Sequence, residues 1–166
     1  MTKVPNIIIS RGHLSKVVMI RVLPGSDIIE GIEEVCHNLD IKSGAITCCI
    51  GSLQRASLLI AVPMNSKIGA GYSDPKVIKG PLELLSGQGS IGQEEGGEIF
   101  IHLHGVVSDK DGNIYGGHLI KGKNPVLITC EVMVSQIEGI HIIRTYDQEV
   151  DMKIFFPKEG QKGEND

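Results

Sequence analysis

The chain has 166 residues, with 20 acidic and 16 basic side chains and a formal net charge of −4. This length and an apolar content of 41% predict one globular domain and exclude a chain that is disordered throughout. The acidic balance, with three Phe, three Tyr and no Trp, argues against non-specific binding to a phosphate backbone or stacking on exposed bases.

The first residues lack the long apolar run of a signal peptide, and no apolar stretch approaches the roughly 18 residues of a membrane span. Four cysteines lie in apolar segments without CxxC spacing: Cys36, Cys48, Cys49 and Cys130. That pattern favours reduced core cysteines. We therefore expect a cytoplasmic protein with no membrane partner.

The first third of the chain predicts strands at residues 5–10 and 16–22, followed by a helix at about residues 26–40. Asp27 with Glu30 three positions on is typical of a capping box. Apolar residues then recur at the spacing of one helical face, at Ile28, Ile32, Val35, Cys36 and Leu39. No other stretch predicts a long helix.

From Ala45 onward the apolar pattern is that of strands. A hairpin or tight strand pair is predicted at 45–50 and 55–62, and a long loop at 63–80 with a short strand at 76–79. Further strands are predicted at 82–91, 98–107, 114–120, 126–137, 140–146 and 152–156. The fold class is α+β: a mainly antiparallel, mixed sheet with one principal helix. A single domain is expected over 1–157, with a charged, flexible tail at 158–166.

Three of the six histidines fall in the segment from Glu98 to Ile120, which predicts two strands joined by a polar turn. The turn begins Asp109-x-Asp111-Gly112, like a calcium-binding loop. The residues that follow do not have the ligand spacing of a calcium-binding loop, and no glutamate stands at its twelfth position. A hairpin turn is therefore favoured.

The register of this hairpin decides where the third histidine points. His102 and His104 are two residues apart, so their side chains leave the same face of a strand, about 6–7 Å apart. A three- or five-residue loop would set His104 opposite His118, with all three rings on one face. A two-residue turn at Asp111-Gly112 would turn His118 to the other face.

Three converging neutral imidazoles form a ligand set for Zn²⁺ or a similar divalent metal, so His102, His104 and His118 are the candidate ligands. Three protein ligands leave a fourth position for water or a small molecule. The alternative is that these histidines lie on a solvated hairpin face. No GxSxG motif, activated Cys–His pair or readable pair of catalytic carboxylates is present, so the sequence names no catalytic residue.

Several motifs in order resemble the plants-and-prokaryotes-conserved domain family (PPC, or PCC) over roughly residues 14–157. They are Gly51-Ser52-Leu53, Gly80-Pro81-Leu82-Glu83-Leu84-Leu85, His102-Leu103-His104, Ser108-Asp109-x-Asp111-Gly112, Gly116-Gly117-His118-Leu119 and Thr129-Cys130-Glu131-Val132. The resemblance implies a sheet-rich domain that assembles as a homotrimer. It also implies metal binding through these histidines, as in prokaryotic members.

In plants, similar domains lie beside AT-hooks in nuclear DNA-binding proteins. This chain has no Arg-Gly-Arg-Pro AT-hook, and Gly80-Pro81-Leu82-Glu83 stands where plant members have Gly-Arg-Phe-Glu.

Two function classes follow. The first is a trimeric zinc protein acting on a small molecule; the second is a DNA-binding or regulatory protein-interaction module with a structural metal. We expect no tight DNA binding by this chain alone at physiological salt.

Overall fold

A computed structural model describes residues 7–160, which form ten strands and one helix. In chain order these are β1 His13–Val22, α1 Ile28–Asn38, β2 Gly44–Leu59, β3 Ala61–Pro63, β4 Ala70–Tyr72, β5 Lys76–Glu94, β6 Ile99–Ser108, β7 Ile114–Leu119, β8 Val126–Glu138, β9 Ile140–Asp147 and β10 Met152–Glu159. The predicted single domain with a mixed sheet is confirmed. Because the helix has 11 residues and strands dominate, the α+β label is loose.

Eight strands form one sheet in the order β1-β8-β2-β7-β6-β5-β9-β10, and β3 and β4 form a separate two-stranded ribbon. The pairings are antiparallel except that between β5 and β9, which is parallel. Strand β2 also pairs with β5, while its last residues pair with the end of β7. Strands β2, β5, β6 and β7 therefore close into a ring, and the histidine hairpin lies within it.

The predicted helix is confirmed, with shorter bounds than expected. Asp27 is its N-cap, and the Asp27 carboxylate accepts hydrogen bonds from the backbone N–H groups of Ile29 and Glu30. One part of the predicted apolar face is wrong: Leu39 lies past the last turn and is 43% exposed, whereas Ile29 is 2% exposed. Helix α1 packs on β6 and β1.

The core lies on one side of the histidine-bearing strand β6. Ile101, Leu103 and Val107 are buried, while the alternating residues His104 and Val106 are exposed on the other face. This alternation is the period of two that a strand with one buried face requires. The sheet thus buries its apolar residues and presents the histidines away from the core.

Some predicted strand boundaries are wrong, because residues that form β-bulges have sequences that resemble turns. Residues 44–59 form one strand, and the expected turn near Gly51 is an irregularity in the pairing with β8. The strands expected at 76–79 and 82–91 are one strand, β5. Residues 7–10 are not a strand, and residues 1–6 lie outside the described range.

Of the tail predicted at 158–166, Lys158 and Glu159 belong to β10, and residues 161–166 lie outside the described range. The four cysteines are free, and three of them, Cys36, Cys49 and Cys130, are buried. No helix among residues 7–160 is long and apolar enough to cross a membrane.

Candidate metal centre

The hairpin of β6 and β7 has the register that brings the histidines together. His104 pairs with His118 and Ser108 pairs with Ile114, which leaves a five-residue loop at 109–113. The two-residue turn at Asp111-Gly112 is therefore excluded. His102 and His104 alternate on β6 with the buried residues Ile101 and Leu103, so all three rings share one face.

Asp109 organises the loop that sets this register. Its carboxylate accepts hydrogen bonds from the N–H groups of Asp111 and Asn113, both at 2.9 Å, and from the hydroxyl of Tyr115 at 3.1 Å. The hydrogen bond from the Asn113 side chain is the largest cause that lowers the pKa of Asp109. Gly112 supplies the positive φ of +81° in the turn. The Asp109 carboxylate therefore accepts its hydrogen bonds from within the turn and stabilises the hairpin loop.

Gly117 lets β7 approach the end of β2. A β-carbon on Gly117 would lie 2.6 Å from the carbonyl oxygen of Leu59, which is closer than side chains tolerate. Leu59 pairs with His118, so this close approach fixes the backbone from which the His118 ring projects.

The ligand nitrogens of His102, His104 and His118 all lie within 4.8 Å of one another. The Nε2 atoms of His102 and His104 are 3.0 Å apart, and the ring centroids are 4.9–5.4 Å apart. Around a tetrahedral ion with Zn–N bonds of about 2.0–2.1 Å, neighbouring nitrogens stand roughly 3.3 Å apart. Small ring movements would therefore give a coordinating geometry.

The surroundings of His102 and His118 favour the neutral imidazole, the form that metal ligation requires. Burial, followed by the charges of His102, His104 and Arg144, lowers the pKa of His118 to about 4. Burial is also the largest cause that lowers the pKa of His102, with His104 and Arg144 next. Both environments therefore favour the neutral imidazole over the imidazolium.

One nitrogen of the cluster lacks a partner. His118 Nδ1 is buried and has no hydrogen-bond partner among residues 7–160. A buried polar atom without a partner is costly, and a metal ion or a ligand would remove that cost. The donor set and this orphaned atom fit a divalent cation that prefers imidazole. The other three histidines, His13, His37 and His141, are exposed and lie outside the cluster.

Beside the cluster lies a cavity of about 470 Å³ that His102 and His118 help to line. Its other lining residues come from several distant parts of the chain: Leu59, Tyr72, Ser90, Phe100, Arg144, Met152, Lys153, Ile154 and Phe155. Arg144 and Phe155 could not be identified from the sequence, because the non-local pairing of β5 with β9 brings their strands to the site. The histidines are thus one wall of a larger site.

Solved structures share this fold over nearly the whole chain. A metal-containing protein from Archaeoglobus fulgidus is 26% identical, with a TM-score of 0.77, covering 90% of this chain and 99% of its own. A plant- and prokaryote-conserved (PPC) protein from Pyrococcus horikoshii is 22% identical, with a TM-score of 0.74, covering 89% and 97%. Two others, from Bacteroides thetaiotaomicron and Ralstonia eutropha, are named for a suggested DNA-binding role. At 22% and 23% identity they show the fold alone.

Among curated proteins, the chain is 28% identical over 107 residues to the bifunctional protein GlmU of Synechococcus sp. strain JA-3-3Ab. The match covers 64% of this chain but spans only 15% of the length of that relative. The model of the Plants and Prokaryotes Conserved (PCC) domain matches residues 9–138, a range that includes α1 and the whole histidine hairpin. The chain therefore belongs to the Plants and Prokaryotes Conserved domain family.

Proposed function

We propose that this protein binds a divalent metal, zinc in the first instance, through His102, His104 and His118, with a fourth position open to a small molecule. The strongest support for this proposal is the convergence of three imidazole nitrogens within 4.8 Å on one face of the hairpin. The unpartnered Nδ1 of His118 adds support. So does the metal-containing relative from Archaeoglobus fulgidus at 26% identity.

Bound zinc would supply a Lewis acid that polarises a coordinated oxygen or water. The chain's own residues do the remaining work. They hold His102 and His118 neutral and half-buried, and they place apolar walls that limit access of bulk water. The described residues that line the cavity include no carboxylate to act as a general base. We therefore propose ligand binding at the metal and assign no reaction.

We also propose that the chain assembles as a homotrimer. Large apolar side chains are exposed on several strands of the sheet, among them Val17, Met19, Met133, Ile50, Leu85 and Val106. The one helix in the described part of the chain does not cover them, and a second copy would remove them from water. The number three rests on the family resemblance.

A zinc titration of protein purified without a histidine tag tests the metal proposal. Calorimetry should give one zinc per chain for the wild type. Replacement of His102, His104 or His118 by Ala should lower zinc affinity sharply and leave the fold intact. His141→Ala is the matched control, because His141 is exposed on β9 and outside the cluster. Equal zinc binding by all four variants would contradict the proposal.

The alternative function is a DNA-binding or regulatory interaction module with a structural metal, a role for which two structural neighbours that share the fold alone are named. The net charge of −4 weighs against it, because affinity for a phosphate backbone depends on clustered Lys and Arg. Zinc that is fully coordinated by protein, with no exchangeable fourth position, would favour this alternative.

A further inference from the structure

The cavity beside the histidines has a second wall, built by the hairpin of β9 and β10. That hairpin contributes Arg144, Met152, Lys153, Ile154 and Phe155, while Phe100 and Leu59 come from the ring of strands. The match to the family model ends at residue 138, two residues before β9 begins. The wall that faces the histidines therefore comes from outside the matched segment.

Four contacts fix this hairpin in place. Glu94 on β5 pairs with Arg144 on β9 in the parallel ladder. The Glu94 carboxylate also accepts hydrogen bonds from Arg144 Nη1 at 2.5 Å and Lys153 Nζ at 3.3 Å. The Phe155 ring meets Phe100 edge to face, with 5.7 Å between centroids. The wall is thus held by charge and by aromatic packing.

The Glu94 carboxylate stays ionised in this arrangement. Burial opposes its ionisation, but the hydrogen bonds and charges of Arg144 and Lys153 outweigh burial, and the pKa of Glu94 is lowered. Glu94 therefore orients both cations, and the Glu95 carboxylate also lies 3.9 Å from Lys153 Nζ. Neither carboxylate lines the cavity, whereas Arg144 and Lys153 do, so the cavity wall itself presents cationic groups.

Arg144 retains donors that no protein group in residues 7–160 uses. Its guanidinium lies over the Phe100 ring, with Cζ 4.1 Å from the centroid, and Nη1 donates to Glu94. No other acceptor among the described residues contacts its remaining nitrogens. The side chain is 29% exposed and lines the cavity, and a planar guanidinium fork matches the geometry of a carboxylate.

The rest of the cavity is mainly apolar, with Leu59, Phe100, Met152, Ile154 and Phe155 around the two cations. A ligand that is apolar throughout would desolvate the Arg144 donors without giving them an acceptor. A highly charged ligand would not pack favourably against the aromatic side chains. A divalent ion on the neighbouring histidines would add positive charge and favour an anion further.

From this arrangement we infer that the cavity binds a small organic carboxylate with an apolar or aromatic body. The carboxylate receives hydrogen bonds from Arg144, the body packs against Phe100 and Phe155, and the far end of the ligand faces His102 and His118. This inference deepens the proposed function, because it names the ligand class of the same site. The β9–β10 hairpin then determines specificity.

The test uses a panel of carboxylates, namely benzoate, phenylacetate, 4-phenylbutyrate and isovalerate, each paired with its neutral amide. Binding is measured by calorimetry on the full chain, once freed of metal with a chelator and once loaded with zinc. At least one carboxylate should bind both forms more tightly than its amide by about tenfold or more, because hydrogen bonds to a charged group are strong.

Matched variants locate the site. Arg144→Gln should lower carboxylate affinity by about tenfold or more and retain zinc binding, whereas Arg55→Gln removes an exposed arginine that does not line the cavity and should change nothing. Phe155→Ala should weaken binding of the aromatic carboxylates. Phe156→Ala, the next residue on β10 and not part of the lining, should weaken it far less. The comparison of acid with amide on wild-type protein stands even if a variant fails to fold.

The outcomes separate this inference from the metal proposal. If carboxylate binding depends on Arg144 in metal-free protein but zinc does not bind, the ligand subsite stands and the metal proposal fails. If carboxylates bind only the zinc-loaded form, with no effect of Arg144→Gln, the metal alone holds them and the inference is wrong. It is equally wrong if no carboxylate in the panel binds more tightly than its amide.

Discussion

The ionisation of His118 should make the stability of the metal-free protein depend on pH. The pKa of His118 is lowered to about 4 in the folded state, by burial and then by the charges of His102, His104 and Arg144. In the unfolded chain an ordinary histidine has a pKa of about 6.5. Between these values the unfolded state binds more protons. Stability is therefore complete above about pH 6.5 and falls as the pH drops toward 4.

The size of this effect follows from the shift. A difference of about 2.5 pKa units corresponds to at most about 3.4 kcal/mol, at about 1.36 kcal/mol per unit. His118 is only half-buried, so solvent screens part of that energy. We expect a loss of about 1–2 kcal/mol in the free energy of unfolding between pH 7 and pH 4.5.

Urea denaturation in the presence of a chelator, at fixed protein concentration and a series of pH values, measures this loss. His118→Gln should remove about 1–2 kcal/mol of the pH dependence, because the titrating group is gone. His141→Gln, at an exposed position outside the cluster, should follow the wild type. If wild type and His118→Gln lose stability in parallel as the pH falls, the assigned environment of His118 is wrong.

Three further predictions concern assembly, DNA and the hairpin turn. Light scattering at micromolar concentration should give the mass of three chains, and a monomer mass would contradict the homotrimer. Duplex DNA should show no salt-dependent mobility shift with nanomolar protein, since 20 acidic residues outnumber 16 basic ones; a shift would favour the alternative function. Asp109→Ala removes the acceptor that organises the 109–113 loop and should weaken zinc affinity, whereas Asp40→Ala, at an exposed carboxylate after α1, should not. Unchanged affinity in the Asp109 variant would show that the loop does not set the register.

The arrangement of the histidine hairpin could be predicted because its determinants are local. Alternation on β6 puts His102 and His104 on one face, and loop length alone then decides the position of His118. The sequence left two registers of the hairpin open. The choice between them rests on the hydrogen bonds of Asp109, which are not visible in residue spacing.

The rest of the site could not be predicted, because it depends on non-local pairing. Arg144 and Phe155 reach the histidines only because β9 joins β5 in the single parallel contact of the described sheet. Strand boundaries at β-bulges could not be predicted either. Gly51 allows the backbone to approach Thr129 closely. In the sequence this glycine resembles the turn of a hairpin, yet β2 continues to Leu59.

X-ray absorption spectroscopy of the zinc-loaded, untagged protein tests the central claim most directly. The account predicts three histidine nitrogens and one oxygen at about 2.0–2.1 Å, with imidazole scattering reduced in the His118→Ala variant. A first shell containing sulfur at about 2.3 Å, or a zinc shell unchanged by His118→Ala, would contradict a metal centre at His102, His104 and His118.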